Sequence, residues 1–299
     1  MAAEKLPSYG GQALIEGVVM RGSHSVAAAM RAPNGEIILK TEDLKGIYIS
    51  SIRKFPVIRG LIVLWDALSL GIRFLTLSAN VQTGEDEKIE GPALYLTLGG
   101  AFAAGILIFF VAPAAAGHWI ESLTGWNPLV GNLIEGGLRL AIMIGYIWGI
   151  GFMPDIRRVF EYHGAEHKTI NAFEAGAKLT PETVKGFSLE HPRCGTSFLL
   201  IVVVFSIIIF TLLGPLPILV KLLTRVLLIP VVAGLAYEYI KWSANNIESR
   251  LIQWLIKPNL ALQRLTTREP SLDVLEVAIA AFNTMLAREQ QAKEQSMVL

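Results

Sequence analysis

Four long apolar blocks constrain this chain more than any other feature. Ala93 to Gly117 carries no charged side chain, and Leu129 to Met153 carries only Glu135 and Arg139. Thr196 to Leu213 is again uncharged, while Leu222 to Ile240 is interrupted only by Arg225 and Glu238. Crossing the hydrocarbon core of a bilayer takes about 20 helical residues, and each block reaches or approaches that length. Backbone in lipid must satisfy its own hydrogen bonds, so such blocks are expected as helices. Composition agrees, since 17% of residues are charged against about 25% in soluble domains. The expected fold is therefore a mainly α, polytopic membrane protein with four transmembrane helices. Pro215 and Pro217, just past the third block, predict a tight hairpin into the fourth.

Lys and Arg placement sets the expected orientation. His118 to Pro128, between the first two blocks, holds neither residue. Pro154 to Gly195 holds Arg157, Arg158, Lys168, Lys178, Lys185 and Arg193. That asymmetry predicts a multi-pass protein of the cell (inner) membrane, with both termini and the 154–195 loop cytoplasmic. Met1 to Gly10 lacks the charged and apolar regions of a cleaved signal. The single cysteine, Cys194, excludes an internal disulfide. A net charge of +1 with no dense basic run argues against a nucleic-acid partner.

The flanks divide into smaller units. Residues 1–56 read as a cytoplasmic β-rich segment, in which Val26–Arg31, Pro33-Asn34-Gly35 and Glu36–Lys40 spell a β-hairpin. In 57–92, Val57 to Val81 is apolar with Arg59, Asp66 and Arg73 repeating every seven residues. That polar stripe predicts an amphipathic helix lying in the interface or packed at the bundle edge, with a fifth span as the alternative. Gly84 to Glu90 then reads as a charged linker. Residues 93–153 and 196–241 hold the two pairs of spans, and 242–299 form a helical tail. In that tail the fourth span continues from Trp242 to Lys257, and Leu260–Glu269 connects to a last helix. The last helix starts at Pro270-Ser271 with the apolar stripe Leu272, Leu275, Ala278, Ile279 and Phe282, and Arg288–Leu299 is expected to fray.

The chemistry concentrates in the 154–195 loop. His163, Glu166 and His167 form H-x-x-E-H, the order found in the inverzincin signature of zinc hydrolases. On a helix, residues four apart project from one face, so both imidazoles can reach one metal ion. Glu166 stands beside them as the candidate catalytic base. His191 and Cys194 follow in the run His191-Pro192-Arg193-Cys194 and complete a candidate metal-ligand set, for which Glu190 and Glu238 are alternatives. Glu16, Arg21, Arg193 and Glu238 are candidate substrate contacts. Each has a plain structural counterpart. The histidines can hydrogen-bond in a polar interface, His191 to Cys194 can cap a helix, and Glu166 can pair with Lys168 or Arg157. Glu238 can pair with Arg193, and Glu135 with Arg139; His24 and His118 look isolated.

Several of these segments together carry a resemblance. They are Gly11–Gly22, the run Asp155–Lys168 around the two histidines, His191–Phe198, and Leu262–Pro270. In these the chain resembles the bacterial YqhQ-like membrane family, domain of unknown function 1385, from about Tyr9 to Phe282. The resemblance implies a metal-dependent enzyme and names no substrate.

Two mechanisms follow from the residues. In one, His163, His167 and a third ligand hold a divalent ion, Zn²⁺ by donor type, with an open position for water, and Glu166 takes the proton. The protein is then a hydrolase at the cytoplasmic surface of the lipid bilayer, acting on a lipid-linked or membrane-proximal peptide substrate. In the other, His163, His167, His191 and Cys194 close a structural site in a non-enzymatic scaffold or assembly factor. A transporter is the weaker third reading, because the blocks show no chain of ionisable groups. Oligomeric state stays open.

Overall fold

The computed structural model describes residues 9–44, 58–83 and 91–297. The linker expected at Gly84–Glu90 lies outside them. Strands β1 (Gly10–Leu14), β2 (Gly17–Arg21), β3 (Ser25–Arg31) and β4 (Ile37–Asp43) form an antiparallel meander in sequence order. The predicted hairpin is present: Arg31 pairs with Ile37, and Gly35 takes a φ of 88° in the turn. β3 is apolar nearly throughout because it is covered on both faces. Ala27 and Ala29 pack into one cluster, and Val26, Ala28 and Met30 into another.

The second cluster is closed by α1 (Ile58–Thr83) through Leu70, Phe74, Leu77 and Val81. Arg59–Thr83 is long and apolar enough to cross a membrane, yet the second half of this helix covers the sheet. Its period-seven stripe is satisfied by protein rather than by headgroups. Arg59 Nε donates to Glu238 at 2.6 Å, Asp66 pairs with Arg21, and Arg73 pairs with Glu42. Trp65, Leu68, Ile72 and Leu75 are exposed.

The apolar blocks are helical. α2 (Pro92–Ile106), a π-helical turn (Leu107–Val111) and α3 (Ala112–Thr124) run together as the apolar helix Leu94–Thr124. In α4 (Pro128–Ile150) the Asn127 side chain caps the start, accepting from Leu129 N–H at 2.9 Å. α7 (Thr196–Leu212) is a shorter apolar helix of 17 residues. The block expected as one span from Leu222 to Ile240 is broken instead. α8 (Ile218–Leu227) and α9 (Ile229–Asn245) meet at a 45° bend, where Pro230 in the first turn of α9 supplies no N–H to continue the ladder. Three helices are thus long and apolar enough to cross a membrane, and the bent pair is a fourth candidate if it is one span.

Glu135 and Arg139 do pair, at 2.8 Å, but within a larger buried network. Arg225 on α8 donates to both oxygens of Glu135, at 2.8 and 2.9 Å, and Lys221 approaches it at 3.5 Å. Arg139 also donates to Ser206 Oγ and to the carbonyl of Phe109, inside the π-helical turn. The apolar blocks therefore do contain a group of buried ionisable side chains, contrary to the expectation from sequence. The partners come from α4 and α8, so no single block displays them.

Most of the 154–195 loop is helix: α5 (Pro154–Glu174), then the short α6 (Pro181–Val184). The tail departs from expectation too. α9 stops at Asn245, α10 spans Arg250–Leu255, and the expected connector is helical as α11 (Lys257–Thr266). Pro258 falls in the first turn of α11, where a missing N–H costs nothing, so it starts a helix rather than ending one. α12 (Leu272–Met297) buries Leu275, Ala278, Ile279 and Phe282 against the sheet and α5, while Leu272 is exposed. Its C-terminal part is held rather than frayed. Glu289 accepts from the N–H groups of His24 and Ser25 at 2.6 and 2.7 Å, and Arg288 pairs with Asp43. His24 is accordingly not isolated, since its Nδ1 also lies 3.2 Å from Glu289.

Candidate metal centre

α5 starts at Pro154 with Asp155 in its first turn, where a negative charge suits the helix dipole. Just past its end Gly176 takes a φ of 69°, and Ala177 N–H reaches back to Ala172 O at 2.9 Å. Halfway along, Gly164 lets the chain at Arg268 press onto the helix. A Cβ there would sit 2.2 Å from the Arg268 carbonyl oxygen, and Arg268 N–H donates to Phe160 O at 2.9 Å. That close approach brings the end of α11 to the two histidines.

Both histidines use Nδ1 on a backbone carbonyl. His163 Nδ1 lies 2.9 Å from Thr266 O, and His167 Nδ1 is hydrogen-bonded to Leu189 O. This fixes the ring orientation and leaves each Nε2 as an acceptor, the arrangement that outer partners give to metal-binding imidazoles. His163 Nε2 faces Cys194 Sγ at 3.2 Å. His167 Nε2 is buried and has no hydrogen-bond partner. One ligand atom from each of His163, His167 and Cys194 lies within 4.8 Å of the other two. An orphaned buried acceptor beside a thiol and a second imidazole fits a soft-to-borderline ion such as Zn²⁺.

His191 stands next to this group but not in it. Its ring centroid is 5.7 Å from that of His167, and its Nε2 points toward Glu174 at 3.8 Å, too far for a hydrogen bond. Burial depresses its pKa, with Arg193 and His167 adding to the effect and Glu174 opposing it. Gln263 on α11 fixes the segment by accepting from His191 N–H and donating to His191 O, each at 2.9 Å.

Glu166 is buried rather than a surface carboxylate, and it pairs with neither Lys168 nor Arg157. Lys168 donates to the carbonyls of Lys185 and Phe187 and pairs with Glu269 at 2.9 Å. Burial raises the Glu166 pKa, while His163 and the N–H of Gly11 pull it down. Gly11 can approach only because it has no side chain, since a Cβ there would lie 3.1 Å from the Glu166 carboxyl carbon and 2.5 Å from Val19 O.

His163, Glu166, Arg193 and Cys194 all line one cavity of about 650 Å³, walled mainly by apolar side chains of α1, α4, α7 and α9. The other proposed contacts are engaged elsewhere. Glu16 receives the Arg158 guanidinium at 2.9 and 3.0 Å and the Tyr162 hydroxyl at 3.0 Å, tying the β1–β2 turn to α5. Arg21 pairs with Asp66, Glu238 with Arg59 rather than Arg193, and Glu190 with Arg264. Arg193 pairs with Glu174. Sequence reasoning missed Leu189, Gln263 and Thr266. Two of them act through backbone carbonyls, which leave no mark in a side-chain pattern.

A family described as "Protein of unknown function (DUF1385)" matches residues 55–288. The chain belongs to this family. It is also 32% identical to the Bacillus subtilis (strain 168) protein named "Uncharacterized protein YqhQ", over 96% of this chain and 95% of that one. No solved structure matches. Neither description states an activity, so the metal-dependent reading rests on the site geometry alone.

Proposed function

We propose that this protein is a zinc-type metal-dependent hydrolase of the inner membrane, working at the cytoplasmic face. The observation that carries the reading is the convergence of His163 Nε2, His167 Nε2 and Cys194 Sγ on one point beside Glu166, at the wall of a cavity. Three protein ligands with room for a fourth are what catalytic zinc sites present, whereas structural sites use four. His191, the fourth ligand a closed site requires, has its Nε2 directed at Glu174 instead. This favours the enzyme over the scaffold.

In this reading His163, His167 and Cys194 hold the ion, with Thr266 O and Leu189 O fixing the two rings. A bound Zn²⁺ supplies a Lewis acid and lowers the pKa of water toward about 7. Glu166 takes a proton from the attacking water and delivers it to the leaving group. Its burial keeps it close to that water and away from competing cations. The apolar helices walling the cavity suit a membrane substrate, and the Lys/Arg asymmetry favours a cytoplasmic site and cytoplasmic termini. Cysteines placed at Ser188 and Ser122, both exposed, should be labelled from opposite sides; labelling of both from outside would refute that orientation.

Glu166→Gln tests the chemistry. The variant should keep its metal and yet fail to complement loss of the gene, since removal of a general base costs about 10²–10⁴ in rate. Full complementation would make Glu166 a bystander and return the site to a structural role.

A further inference from the structure

The cavity beside the ligand triad is bounded by one edge of the sheet, and that edge bears on the substrate class. Among the described residues, β1 is the outer strand of the sheet and pairs only with β2. In this register Leu14 and Gly17 flank the two-residue turn as a bonded pair, so alternation turns the N–H of Gly11 away from β2, on the side where Glu166 lies. Strand alternation then turns the carbonyl of Gly11, and both the N–H and the carbonyl of Ala13, to the same outer side. Among the described residues, no backbone–backbone hydrogen bond from another element satisfies these groups. Gly11, Gln12 and Ala13 line the cavity together with His163 and Glu166. An open edge is normally covered, twisted away or charged; this one is flanked by apolar walls that include Val63, Leu64, Phe198 and Ile240.

Charge separates the possible occupants. Recognition of a lipid phosphate uses Arg or Lys with donors to spare. Among the described residues, Arg193 is the only Lys or Arg lining the cavity, and it is already paired with Glu174. An extended peptide needs what the cavity offers: backbone acceptors and a donor along one side, and apolar pockets for its side chains.

We propose that the site takes an extended, uncharged, apolar segment of a protein chain, added to the sheet as an outer strand beside β1. The docking is independent of the metal, while cleavage rests on the hydrolase reading above. In that reaction the water oxygen bonds to the substrate carbonyl carbon and the C–N bond breaks. The proton Glu166 accepts from water passes to the leaving nitrogen, so the products are a carboxylate and an amine, with no co-reactant beyond water.

The test uses the full-length Glu166→Gln protein in detergent, so that nothing is turned over. A fluorescent Leu/Val/Ala peptide is compared with two copies N-methylated at alternate backbone nitrogens, odd in one and even in the other. A strand edge bonds every second residue, so methylation in one phase should weaken binding by about tenfold or more. Methylation in the other phase should weaken it by less than about threefold, given ~1 kcal/mol per backbone bond and more than one bond lost. Phosphatidylglycerol should not compete. Equal loss in both phases, no binding of the parent peptide, or displacement by phosphatidylglycerol overturns the proposal. Metal analysis of the same sample separates the two claims. Metal without phase dependence sinks the peptide but leaves the metal site, whereas phase dependence without metal upholds the docking and sinks the hydrolase.

Discussion

Two of the buried polar clusters, one around Glu135 and one around His163, differ in how completely they satisfy themselves. Around Glu135 the groups close on one another: Arg139, Arg225 and Lys221 surround the carboxylate, and Asn132 and Ser206 take further donors. Arg225 Nη1 has no partner, but its guanidinium lies 4.3 Å from the Phe210 ring centroid. Around His163 both Nδ1 atoms are engaged by backbone carbonyls and His163 Nε2 meets Cys194 Sγ at 3.2 Å, while His167 Nε2 has no partner. A network that neutralises itself holds helices together. A buried imidazole acceptor with no donor, beside a thiol and a second imidazole, offers a place for a cation. The first cluster thus suits a structural role, and the second is the one proposed to hold a ligand.

That contrast breaks most visibly at Glu135. Replacement by Leu strands buried cations and should cost about 3–5 kcal/mol, as for removal of one partner from a buried pair. Thermal unfolding of the detergent-solubilised protein reads it, and folded protein should still carry its metal. A mild loss would mean the network is not what binds α4 to α8.

Chelation should have the next largest effect. Wild-type protein should lose about 2.7 kcal/mol relative to metal at a hundredfold over its dissociation constant, seen as a fall in Tm. The His163→Ala, His167→Ala double variant should not respond to chelator. An equal response in both would place the ion elsewhere.

Glu289 sharpens the comparison from outside both clusters, as an acid satisfied by backbone. Burial raises its pKa, but the hydrogen bonds from His24 and Ser25 outweigh that and hold it below the ordinary carboxylate value. Its contribution is therefore full above that value and lost as pH falls through the lowered one. Glu289→Gln should reduce stability near neutral pH by about 1–3 kcal/mol and flatten the acid limb of the stability profile. An unchanged acid limb would remove Glu289 as the tether of α12.

The sequence made local patterns legible and distant pairings opaque. The i,i+4 spacing of His163 and His167 survives in the helix unaltered, and the Asn-Gly hairpin and the apolar blocks follow from equally local signals. Cys194 and His191 look like a pair because they are three residues apart. Gln263, from α11, holds the backbone of His191 so that its ring turns toward Glu174. The stripe of Arg59, Asp66 and Arg73 carries the period of a surface helix, yet its partners lie in α9, β2 and β4. The polar tail after Arg288 has the composition of a frayed end, but two backbone N–H groups at His24 and Ser25 await its carboxylate. In each case a helix face was readable, and what covered it was not.

Elemental analysis of the purified full-length protein tests the central claim most directly. The account predicts a single zinc-type ion per chain in the wild type, retained in Glu166→Gln and lost in the His163→Ala, His167→Ala double variant that remains folded. Metal at undiminished occupancy in that double variant, or none in wild-type protein reconstituted with Zn²⁺, would contradict it.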